Sequence, residues 1–226
     1  MARIGHDARI TKGLAVVVLV AVAAALTGCS SSSSSGSQRA AGMGGSVLKD
    51  KADMLKLKEA ISASTAALND LLTDPQRDLK PQYKAFTSAL AKVDSLAKKT
   101  RERGAAIQAG LDKHLDTWRE QVTSIQDETL RQQALDRVAQ SKESFRRLYG
   151  ELTAFKEALT PYVGSLKDVE RYLNTDLTPT GLKTISASAN KAIAAEKDIQ
   201  ARIDSVVAEL TRVADELTAG QQKTAQ

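Results

Sequence analysis

VAQSKESFRRLYGELTAFKEALTPYVGSLKDVERYL, residues 138–173, repeats apolar side chains at alternating spacings of three and four. Val138, Ser141, Phe145, Leu148, Leu152, Phe155, Leu159, Tyr162, Leu166, Val169 and Leu173 fall on one line, and only Ser141 is polar. A repeat of 3.5 residues winds one apolar seam along a helix and drives left-handed coiled-coil packing. Pro161 sits within the seam without shifting its phase, which predicts a bend rather than an end, although a proline inside a helix costs about 3 kcal/mol.

Working outward, three more segments carry the same repeat. Downstream, Leu182, Ile185, Ala189, Ala192, Glu196, Ile199, Ile203, Val206, Leu210, Val213 and Leu217 form a seam broken only by Glu196. Upstream, a longer seam runs from Tyr83 through Phe86, Leu90, Val93, Ala97, Thr100, Gly104, Ile107, Leu111, His114, Trp118 and Gln121 to Ile125. A shorter one comprises Met54, Leu57, Ile61, Ser64, Leu68 and Leu71. Thr73-Asp74-Pro75 to Lys80-Pro81 interrupts strongly, because proline lacks the amide donor and restricts the residue before it. Asn174 to Gly181 is equally strong turn chemistry. Between Ile125 and Val138 the seam slips by one residue, which places a turn near residues 126–129 with Asp127 capping the next helix. The spacing thus predicts an all-α fold: an elongated antiparallel helical bundle or coiled coil of three long helices plus a shorter N-terminal helix, occupying residues 47–218. A disordered tail is expected over 219–226.

The front of the chain reads differently. Arg3, Arg9 and Lys12 precede thirteen uninterrupted apolar residues, Leu14 to Leu26. Thirteen helical residues span about 20 Å, short of the ~30 Å hydrocarbon layer, so residues 1–28 read as a secretory signal. The segment ends Leu26-Thr27-Gly28-Cys29, which resembles the bacterial lipoprotein cleavage box. That resemblance implies cleavage before Cys29, a diacylglycerol on its sulfur and acylation of the new amino terminus. Two or more acyl chains anchor stably, at about 0.8 kcal/mol per buried methylene. Ser30 follows Cys29, which in Gram-negative lipoproteins resembles sorting to the outer membrane, facing the periplasm. Of residues 30–46, eight are Ser and four are Gly, so residues 29–46 are expected to be a lipidated flexible tether.

Composition excludes several functions. A single Cys rules out a disulfide scaffold. Of the +5 net charge, residues 1–28 hold +2, leaving +3 from 29 basic and 26 acidic groups, too balanced for a nucleic-acid face. Six of the eight aromatics lie on the seams, leaving no stacking platform for bases. There is no glycine-rich phosphate loop, Ser/His/Asp set or Cys/His cluster, so no catalytic residue, cofactor or metal is expected. His114 lies on a seam, but a bundle di-metal site needs Glu-x-x-His on two helices, and position 111 is Leu. His114, Thr100, Gln121, Ser141 and Glu196 read as polar residues that fix register, or that line a small polar cavity if they meet at one level. The cluster Lys98-Lys99-Thr100-Arg101-Glu102-Arg103 and the pair Arg146-Arg147 read as solvated faces that could otherwise touch anionic lipid.

Trp118 with Glu120, Leu130-Arg131, Tyr149, Pro161 and Leu173-Asn174 resemble, over residues 80–215, a family of bacterial coiled-coil lipoproteins of unknown function. The resemblance implies architecture and location, not an activity. The expected function is that of a non-enzymatic, lipid-anchored envelope lipoprotein acting as an elongated interaction or spacer module. Its partners would be the membrane, through the anchor, and envelope proteins, with a homo-oligomer open. A membrane-surface module, or a carrier holding a small ligand between helices, are the alternatives.

Overall fold

The apolar seams fold as helices and the breaks between them as turns. In the computed structural model, which describes residues 36–222, the chain forms α1 (Gly36–Thr73), α2 (Lys80–Thr123), α3 (Glu128–Thr175) and α4 (Pro179–Gln222). Their lengths of 38, 44, 48 and 44 residues correspond to roughly 57–72 Å at 1.5 Å per residue. No helix among the described residues is long and apolar enough to cross a membrane.

Connections of six, four and three residues fold each helix back on its predecessor. Each helix packs on its neighbours in the chain, α4 closes on α1, and the diagonal pairs do not approach. The result is a four-membered antiparallel ring around one core. All ten apolar residues of the α4 seam are buried, as are nine of the eleven α3 positions, and Met54, Leu57, Ile61, Leu68 and Leu71 of α1 are sealed. Each buried Leu or Ile contributes about 1.5–3 kcal/mol.

Each turn is held by side chains that satisfy backbone groups freed at the helix ends. Gln82 clasps the first: its Nε2 donates to Asp70 Oδ2 (2.7 Å) and Asp74 O (3.0 Å), and its Oε1 accepts from Gln76 N (2.9 Å). At the second, Asp127 is the N-cap of α3, its carboxylate accepting from Leu130 N at 2.9 Å. At the third, Thr178 Oγ1 donates to Asp176 (2.7 Å) and accepts from Gly181 N (3.1 Å). A Cβ on Gly181 would fall 2.2 Å from Asp176 O, so this tight turn requires glycine. Pro161 lies inside α3, which continues through it. Its ring is on the exposed side, where the Glu157 carbonyl left without an amide partner remains open to hydration.

Two boundaries differ from the sequence reading. α1 starts at Gly36, inside the segment expected to be a tether, so the first helix is a full member of the ring. Val47 is buried and Ala40 and Met43 pack on the core at spacings that continue the seam upstream of Met54. That burial outweighs the low helix propensity of Gly and Ser. Gly44 allows the approach to α4, since a Cβ there would lie 3.0 Å from Thr218 Cγ2. α4 extends to Gln222, past the expected boundary at 218. The signal segment, Cys29 and residues 30–35 lie outside the described residues.

Candidate functional site

The core thins along α2. Beyond Ala97 its seam positions are Thr100, Gly104, Ile107, Leu111, His114 and Trp118, and only Leu111 is fully buried. Near the C-terminus of α2 the buried position moves to Val122, leaving Gln121 exposed, because a straight helix drifts about 20° per heptad. The seam reading placed Gln121 inward; the structure corrects it.

Where the seam thins, all four helices frame a cavity of about 540 Å³ at the end of the ring that holds the start of α1. From α2 come His114, Trp118 and Gln121; from α3, Arg137, Gln140, Ser141 and Phe145. The start of α1 adds Gly36, Arg39 and Ala40, and the end of α4 adds Glu216 and Leu217. Small residues (Gly36, Ala40, Ser141) face the large Trp118 and Phe145, and this mismatch leaves the space unfilled. The His114 and Trp118 rings are 5.9 Å apart at 40°, and the Arg137 guanidinium carbon lies 5.8 Å from the Trp118 ring centre, a cation–π contact.

Charge in the cavity is uneven. Glu216 accepts from Arg212 Nη1 and Ser144 Oγ, both at 2.7 Å, though Arg212 is shared with Glu209. Arg137 makes no ion pair among the described residues. Burial, and then the positive charge of Arg39, hold the His114 imidazole below its usual pKa, so it is neutral at pH 7. The lining is cationic, with neutral donors and an aromatic wall.

A second cluster joins α1 to α2. Asp50 and Asp53 are buried, and Arg103 bridges them, its Nε to Asp50 and its Nη1 to Asp53 at 2.9 Å. Lys99 adds a bond to Asp53 at 3.0 Å. Burial pushes Asp50 above the usual carboxylate pKa, and Arg103 only partly offsets this. At Asp53 the desolvation is outweighed by the bond and charge of Lys99 and the charge of Arg103, which hold it below. Thus Lys99 and Arg103 of the basic cluster bind α1, while Lys98, Arg101 and Glu102 are exposed. Arg146 is exposed beside Glu143 at 3.7 Å, and Arg147 donates to Ser144 Oγ at 3.2 Å.

A third cluster joins α1 to α4. Glu196 accepts from Thr65 and Ser62, both at 2.7 Å, and from Gln200 at 3.1 Å. Desolvation acts against its charge, but these three donors prevail and hold its pKa down. Burial, then the Glu196 charge, pushes the Tyr162 phenol upward.

The five polar seam residues therefore do not meet at one level. His114, Gln121 and Ser141 share the end cavity. Thr100 lines a separate groove of about 390 Å³ between α2 and α3, its hydroxyl sealed from solvent without a hydrogen-bond partner. Glu196 belongs to the α1–α4 layer. Sequence reasoning missed Arg39, Arg137, Asp50 and Asp53. Extending the first seam upstream from Met54 by its own spacing gives Asp50 and Val47, which would have exposed the acidic cluster. Arg39 was hidden by the tether reading, and Arg137 by lying one residue off the seam. Among the described residues no group of three or more metal-ligating side chains occurs.

A family model described as a protein of unknown function (DUF2959) matches residues 44–219. The match includes most of α1, beyond the 80–215 span of the resemblance. No curated protein and no solved structure matches the chain. With the matched region taking in most of all four helices, the chain belongs to the DUF2959 family.

Proposed function

We propose that this protein is a non-enzymatic lipoprotein of the bacterial envelope, moored by acyl chains on Cys29 and presenting its helical ring as an interaction or spacer module. The observation that carries the reading is the order of segments: a signal-type apolar run, the box Leu26-Thr27-Gly28-Cys29, then a helical unit starting at Gly36, seven residues on. Seven residues reach at most about 25 Å, so an anchored Cys29 keeps the start of α1 near the lipid. The ring supplies a rod of roughly 65 Å that buries most of its seam positions and, among the described residues, exposes Leu48, Leu55, Leu130 and Tyr172 as large hydrophobics.

Mass spectrometry of the mature amino terminus, with fractionation of cells, tests this. The expected result is a chain starting at Cys29, heavier by a diacylglycerol and an amide-linked acyl group, in the membrane fraction. The Cys29→Ser variant is expected to keep residues 1–28. Native protein retaining those residues without acylation overturns the proposal. Lys99 and Arg103 are bonded to Asp53 and Asp50, so the membrane-surface alternative would draw on the exposed Lys98 and Arg101 of that cluster.

A further inference from the structure

We propose that the cavity at the α1-start end of the ring is a receptor for a small organic anion with a flat apolar body. The body lies against Trp118 and Phe145, and the carboxylate, sulfonate or phosphate is taken by the guanidinium of Arg137. About 540 Å³ falls in the range of sites for small ligands, which are concave, largely apolar and carry a few convergent polar groups.

Three observations converge on that class. The first is shape: the space arises where small residues on α1 and α3 oppose an aromatic wall, which suits a planar or compact body. The second is charge. Among the described lining residues the one carboxylate, Glu216, is bonded to Ser144 and to Arg212, which it shares with Glu209, while two arginines face the same space. The Arg137 guanidinium carbon lies over the Trp118 ring, 5.8 Å from its centre, and Arg137 makes no ion pair among the described residues, so its donors can take an oxyanion bidentately. Burial first, and then the nearby charge of Arg39, lower the basicity of His114, so its imidazole adds no positive charge of its own at pH 7. The third is the neutral donors: Gln121, Gln140 and Ser141 on the same wall can bond further oxygens. An anion pairs with the exposed Arg137 guanidinium at the rim of this cavity, and a neutral analogue of the same body does not.

Trp118 is the only tryptophan of the chain, so its fluorescence reports the cavity directly. The test uses the full chain in phosphatidylcholine nanodiscs. The probes are 8-anilinonaphthalene-1-sulfonate and its neutral counterpart N-phenyl-1-naphthylamine, both read by saturable energy transfer from Trp118. The sulfonate is expected to bind at least tenfold more tightly than the neutral probe. Arg137→Glu is expected to weaken it at least tenfold, and Arg146→Glu, outside the cavity, to leave it unchanged. In parallel, iodide is expected to quench Trp118 at least twofold more than caesium, and Arg137→Glu to cancel the difference. Unchanged helical circular dichroism separates loss of the site from loss of the fold.

Two competitors distinguish the source of the anion. Displacement of the sulfonate by monomeric dihexanoylphosphatidylglycerol, but not by naphthoate, assigns a lipid headgroup. Displacement by naphthoate alone assigns a soluble aromatic acid. Equal binding of the charged and neutral probes, or an Arg137→Glu variant that binds and quenches like the parent, overturns the proposal.

Discussion

Replacing Arg103 with Met removes the cation that bridges Asp50 and Asp53. The two carboxylates are 7% and 4% exposed, so they cannot recover their hydration without opening the α1–α2 seam. Lys99 still serves Asp53, but the Nε bond to Asp50 was that residue's main compensation. Removing one member of a buried pair costs about 3–5 kcal/mol. The Arg103 side chain is one-third exposed, which places the expected loss near the lower figure, about 3 kcal/mol. For a domain of this size that lowers Tm by roughly 6–12 °C.

The variant also acquires a pH signature. Burial already raises the Asp50 pKa in the folded state, and loss of Arg103 raises it further and pulls Asp53 upward as well. Groups with raised folded pKa values bind more protons folded than unfolded, so stability increases as pH falls. Arg103→Met is therefore expected to regain part of its loss as pH falls toward about 4, by more than the parent, in which Asp50 alone is raised and Asp53 is held down. The triple variant with Asp50→Leu and Asp53→Leu is expected to return to within about 1 kcal/mol of the parent, because it leaves no stranded charge. Thermal and urea melts of the full chain, followed by far-ultraviolet circular dichroism, measure all three. A loss below about 1 kcal/mol for the single variant, or no recovery in the triple, refutes the reasoning.

Gly44→Leu is expected to cost about 1–3 kcal/mol in urea melts by forcing α1 off Thr218, whereas Gly45→Ala, with nothing within 4 Å of the new Cβ, is expected to stabilise by up to about 1 kcal/mol. Ile203→Asp places a charge in a sealed position and is expected to abolish the cooperative melt, Leu152→Asp at the half-open α2–α3 groove to lower Tm much less, and Lys98→Glu to change it by no more than the scatter between melts. Because His114 is less basic folded than unfolded, the unfolded chain binds its proton first and stability falls as pH drops below about 6.5. His114→Gln is expected to flatten that part of the slope in melts between about pH 7 and pH 5.

The helices were legible because burial repeats along them with one period. Ile199, Ile203, Val206 and Leu210 follow the seam without exception and are all buried, and Asp127 caps α3 where the slip in the seam implied a turn. The start of α1 was not, because local composition and long-range packing disagree there. Four glycines and two serines within residues 36–46 speak for coil, while Ala40, Met43 and Val47 find α4 and α2 only once the ring has closed. The end cavity was half visible. His114 and Ser141 stood out as polar residues on apolar seams, but their meeting depends on the depth at which two antiparallel helices align, which a single seam does not encode. Arg137 gave no signal of its own, since an arginine beside a seam is ordinary until an aromatic ring lies under it.

The four sides of the ring are unequal. α2 meets α3 more loosely than any other adjacent pair, across the groove floored by Ala97, Thr100 and Gly104. The other three sides are tighter, and each is cross-stitched: α1 to α2 by Arg103 and Lys99, α1 to α4 by Glu196, and α3 to α4 by Arg212 and Glu216 on Ser144; α2 and α3 are tied by Lys167 on Asp94 and Tyr149 on Asp112. The least packed side of a closed loop is expected to open first, so α1 and α4 would act as the spine of a book whose covers, α2 and α3, part along the fore-edge. Backbone amides facing that edge are expected to exchange with deuterium ahead of those along the spine.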